Sequence, residues 1–121
     1  MRAAFFLLSA IAVAVAPATA AEQHSAALIG IYDGGQMEIA AGLELTKNGQ
    51  FRYGLSYGAL GEAAAGAWSA SGGMVILVVQ QYESNDPDSD GTFGPSVLKV
   101  EEGALILPRY GRVLRFRKQD R

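Results

Sequence analysis

The fold is decided by "MEIAAGLELTKNGQFRYGLSY", Met37 to Tyr57. Met37, Ile39, Ala41, Leu43 and Leu45 share one parity, and Glu38, Ala40, Gly42, Glu44 and Thr46 share the other. Side chains of an extended strand point alternately to its two faces, so this run has one apolar face and one solvated face. Lys47-Asn48-Gly49-Gln50 interrupts it with an Asn-Gly pair, which tolerates the positive φ angles of a tight hairpin turn. In the return run Phe51, Tyr53, Leu55 and Tyr57 fall on one face. A β-hairpin follows.

Working outward, the same period recurs. "LIGIYD" precedes the hairpin, and "AAGAWSA" (64–70) and "MVILVVQQY" (74–82) follow it, joined by Ser71-Gly72-Gly73. The second of these is apolar on both faces through Val79, which predicts a strand covered on both sides. "SVLKVEE" and "ALILP" flank Glu102-Gly103, and "RVLRFRK" follows Tyr110-Gly111. About eight short strands joined by tight turns predict an all-β antiparallel meander. Closure into a barrel removes exposed edges, with an open β-sandwich or partial barrel as the alternative. One segment offers a rival: "GALGEAAAGAW", Gly58 to Trp68, is alanine-rich enough for a helical turn, although its three glycines oppose one.

Residues 1–20 read as a secretory leader. Arg2 is followed by an apolar run from Ala3 to Ala16, a break at Pro17 and the small-residue pattern Ala18-Thr19-Ala20. The run is short for a bilayer span, so no stable membrane insertion is expected after cleavage. Residues 21–121 then form a single all-β domain, periplasmic or secreted. The chain has no cysteine, which removes disulfides, thiol nucleophiles and cysteine-based zinc sites. The full chain carries a formal net charge of −2, a balance that gives no reason to expect nucleic-acid binding.

The pattern "LELTKNGQFRYGLSYG", then "AAGAWSASGGMVIL", joins apolar alternation, a turn glycine before an aromatic, Gly-x-Trp and a second glycine turn. It resembles the small exported NlpE-like and lipocalin-like (calycin-type) β-barrels, over roughly Leu43 to Leu77. The resemblance implies a barrel architecture. The NlpE-like domains carry a cysteine pair and a lipid anchor, which this chain lacks, so their envelope-stress and copper roles are not implied.

Candidate sites are few. In "NDPDSDG", Asp86, Asp88 and Asp90 have the alternate spacing of a calcium loop ahead of Gly91, but Val97 stands where a bidentate glutamate is needed. The same residues make a solvated connection between strands, and weak calcium is the only cofactor they suggest. Tyr53, Tyr57 and Trp68 are candidates to line a small apolar pocket, with Phe51 beside them, or else they fill a barrel core. Arg109, Arg112, Arg115, Arg117, Lys118 and Arg121 gather at the C-terminus. They suit an anion contact, or the outer face of a terminal strand that deters edge pairing. His24 is the only histidine and lies near the expected mature N-terminus, so no catalytic relay can be assembled around it.

These observations predict an exported, non-catalytic β-barrel that acts by binding, its partner an unknown protein or a small apolar ligand. A lipocalin-like carrier of a small apolar ligand and an inhibitor of an exported protease are the alternatives.

Overall fold

In the computed structural model, residues 26–93 and 96–119 are described. The expected leader, His24 and Arg121 lie outside them. Eight strands follow in chain order: β1 (Gly30–Asp33), β2 (Ile39–Leu45), β3 (Gln50–Tyr57), β4 (Leu60–Ser71), β5 (Met74–Ser84), β6 (Ser96–Glu101), β7 (Ala104–Arg109) and β8 (Arg112–Lys118). Each pairs antiparallel with its neighbour, and β8 returns to β1 through Tyr32↔Lys118 and Asp33↔Arg117. The barrel is closed, as the meander predicts.

The two-residue period sets the inside. Leu43 and Leu45 of β2 face Tyr53 and Phe51 of β3 across the hairpin, and these four are buried together with Ile39 and Leu55. Leu105 and Leu107 of β7 and Leu114 and Phe116 of β8 complete the lining opposite. Tight turns with φ above zero close the strand pairs: Gly72 and Gly73, Glu102 and Gly103, and Tyr110 and Gly111. Positive φ at both central positions matches the right-handed twist of the flanking strands.

Three expectations are corrected and one rival reading is set aside. Met37 is not an inward strand residue: it sits in the β1–β2 turn, 81% exposed, and the alternation begins at Ile39. The alanine-rich segment makes no helical turn. From Leu60 it is strand, because pairing with both β3 and β5 satisfies its backbone on two sides. The outer face of β5 is not covered, since Met74 is 44% and Val78 56% exposed. Finally, β8 is not a free edge along its whole length, because Arg117 and Lys118 pair with β1 and shorten the edge its cations are expected to guard.

One irregularity shapes the interior. Between β4 and β5 the register shifts at Ala65/Gly66, so Gly66 faces Val79 while Ala65 faces Gln81. The extra residue, Gln80, is a β-bulge and reverses the parity of β5. Val75, Leu77 and Val79 point inward before it, and Tyr82 points inward after it. A Cβ on Gly66 would stand 2.1 Å from the Val78 carbonyl oxygen, so the strands approach this closely only across a glycine.

Candidate functional site

Alternation along β4 sends Glu62, Ala64, Gly66 and Trp68 to the same, inner face. Glu62 is therefore a carboxylate inside an apolar barrel, with a fully buried side chain. Such a charge is tolerated only when it is paired and hydrogen-bonded. Ala64 is the cross-strand neighbour of both Tyr53 and Tyr82, and its small side chain leaves the two phenols room beside Glu62. Tyr53 donates to Oε2 and Tyr82 to Oε1, each at 2.7 Å. Arg109, the last inward residue of β7, donates through Nε to Oε2 at 3.0 Å and through a terminal nitrogen to Oε1 at 2.8 Å. Tyr110 turns back from the β7–β8 turn and adds a fifth bond, 2.7 Å to Oε1. The fork geometry of guanidinium and carboxylate makes the Arg109 pair strong and directional.

Phe93 covers this cluster. Its ring lies 5.0 Å from Tyr53 and 5.6 Å from Tyr82, and the Arg109 guanidinium stacks 4.3 Å above it. Arg109 also lies 4.9 Å from the Tyr110 ring, so its charge is held between two aromatic faces. Among the described residues no buried side-chain nitrogen or oxygen lacks a partner.

The electrostatics follow. Burial pushes the Glu62 carboxyl upward, but the hydrogen bonds from Arg109, Tyr53, Tyr110 and Tyr82 outweigh it and hold the group at about 2. Burial and the adjacent carboxylate both raise the Tyr53 and Tyr110 phenols. Arg109 is lowered by burial and raised further by Glu62, so it stays charged. None of these four groups exchanges a proton near neutral pH. The cluster can hold charge and position side chains, and none of these four is poised for acid–base chemistry.

The sequence-predicted residues divide. Tyr53 and Trp68 are buried in the core, and Tyr57 is half-buried at the rim. Trp68 Nε1 donates to the Thr46 carbonyl at 2.9 Å, tying β4 to the turn at the end of the barrel opposite Glu62. Tyr57 receives a hydrogen bond from Arg112 at 3.1 Å, with the guanidinium 5.4 Å from its ring. The three therefore do not converge on one pocket. Asp86 and Asp90 each accept the backbone N–H two residues on, from Asp88 and Thr92, and so brace the loop locally. The described residues bring no three acidic or histidine side chains together in a way that could hold a metal, Asp86, Asp88 and Asp90 included. Arg109 is not an outward cation. Its parity with Leu105 and Leu107 turns it into the barrel.

Fold and site together define a small closed β-barrel with an ion pair saturated by tyrosines at one end. No protein-family model matches the chain, and no curated protein or solved structure is significantly similar to it. Of the expected NlpE-like or lipocalin-like resemblance, what is shown is the closed eight-stranded antiparallel barrel.

Proposed function

We propose that the protein is an exported, non-catalytic binding domain that engages another protein with its outer surface, using the barrel as a rigid support. The carrying observation is the interior. Its apolar cluster runs from Tyr32 to Phe116, and its buried carboxylate already accepts five hydrogen bonds. A filled interior with a saturated charge offers little to an apolar cargo on the barrel axis. The leader-like residues 1–20 support export to the periplasm or medium. A second reading, a small apolar ligand, is favoured only at the opposite end. There Ala27, Leu28, Ala70, Met74 and Val100 line an open hollow of about 540 Å³.

Titration with a fluorescent fatty acid, read through Trp68 emission, tests the choice. No saturable change at micromolar probe is expected, alongside discrete cross-linked species when a photo-cross-linker at an exposed position is activated in the cell envelope. Stoichiometric, saturable quenching of Trp68 without cross-linked species would overturn the proposal in favour of a carrier.

A further inference from the structure

β5 is longer than the strand beside it. Its ladder with β6 ends at Leu77↔Ser96, whereas β4 stays paired with it as far as Glu62↔Ser84. Among the described residues no strand therefore pairs with β5 on that side from Val78 to Ser84. Among the described residues no backbone hydrogen bond from the loop 86–93 reaches that edge. An open edge of this kind is a template for another extended chain. The loop instead stands off and makes a groove of about 430 Å³, with β5 from Ile76 to Tyr82 on one side and Gly91, Thr92 and Phe93 on the other.

We propose that the open edge of β5, Val78 to Tyr82, takes up an extended, cationic segment of a partner protein as an added antiparallel strand. The inference rests on the protein-binding reading and names the surface and partner chemistry for it. Strand addition draws its affinity from main-chain hydrogen bonds and its selectivity from alternate side chains. The exposed Val78 and the neighbouring Val97 of β6, 46% exposed, provide an apolar seat for one such side chain. A segment of about five residues, at ~3.4 Å each, spans the edge.

Charge selects the partner. In the sequence Glu83, Asp86, Asp88 and Asp90 lie between the two walls of the groove, Ile76–Tyr82 of β5 and Gly91–Phe93, and no lysine or arginine occurs between Val78 and Val97. Among the described residues none of these four carboxylates is in an ion pair. Their field attracts and orients a basic segment. It also opposes a second copy of this chain, whose own acidic loop would be brought alongside the first.

The test uses a capped heptapeptide of alternating valine and threonine with lysine at both ends. Two companions share its sequence, one N-methylated at alternate amides and one with glutamate for lysine. Saturable binding to the lysine peptide is expected, with NMR shifts confined to Val78–Ser84 and Gly91–Phe93. N-methylation should weaken it about tenfold or more by removing ladder donors, and glutamate should weaken it several-fold. The double variant Val78→Lys/Gln81→Lys, at two exposed positions, should keep the wild-type melting temperature and lose the peptide. Equal binding of all three peptides, shifts elsewhere, or no binding at millimolar peptide would overturn the proposal. So would a concentration-dependent dimer abolished in the double variant, which would give the edge to a second copy. Envelope cross-links that persist in the double variant would sink the edge alone and leave the binding-domain reading standing.

Discussion

A carboxylate without solvent contact must have its charge answered on the spot, and Glu62 draws its answer from four side chains on three other strands and one turn. Removing one partner is costlier than removing both, because the survivor is left charged in a poorly polarisable place. Arg109→Met should therefore destabilise the barrel by about 3 kcal/mol at neutral pH, a large share of the roughly 5–15 kcal/mol of a typical domain. Adding Glu62→Gln should restore most of that, since a neutral amide still bonds the three phenols. Urea midpoints followed by Trp68 fluorescence provide the check, and a double variant no more stable than Arg109→Met alone would refute the coupling. Neither residue stood out in the sequence. Glu62 lies in an alanine-rich run whose composition suggests a helix, and the alternation is evident only from Ala64 onward. Its signal was parity: it shares the even positions of Ala64 and Trp68. Arg109 was masked by its neighbours, a group of terminal cations that composition assigns to the surface.

At the scale of the strand, the β5 bulge determines whether Tyr82 can meet Glu62 at all. Counting by twos from Val75 through Leu77 and Val79 would place Tyr82 outside; the extra residue at Gln80 brings it in. Sequence periodicity cannot register such a step, because "VVQQY" has no apolar–polar alternation to betray the change of phase. Gly66 was the available hint, since a glycine inside a strand marks either a bulge or a close approach. Here it marks both. Gly66→Ala should cost about 3 kcal/mol or more, because its Cβ meets backbone and not a yielding side chain. Gly54→Ala in β3, with nothing within 4 Å of the added carbon, is the matched control and should be close to neutral. Thermal melts and the near-ultraviolet dichroism of the tyrosines would distinguish them. Equal stability of the two variants would mean that the strands can re-register without loss.

For the whole molecule, closure was legible where turns were: five of the seven connections are tight, and their glycines and Asn-Gly pair announce a meander. The tie across the interior was not legible, since it joins residues 53, 62, 82 and 109 that no local pattern relates. That tie makes the barrel acid-sensitive in a calculable direction. Glu62 titrates at about 2 when folded, against an ordinary value of 4.5. As pH falls, the unfolded chain takes up this proton first, so stability is full above about pH 5 and declines through 4.5 toward 2. At ~1.4 kcal/mol for each pH unit between the two values, the whole effect is about 3 kcal/mol, of which about 2 is gone by pH 3. The Arg109→Met/Glu62→Gln variant lacks the group but retains every other carboxylate. Its stability should therefore fall less steeply than the native protein's between pH 5 and pH 3, and the two profiles should approach one another at the acid end. Parallel profiles across that interval would mean that the buried carboxylate contributes nothing to acid stability, and that the tyrosines and Arg109 tie the barrel together without help from its charge.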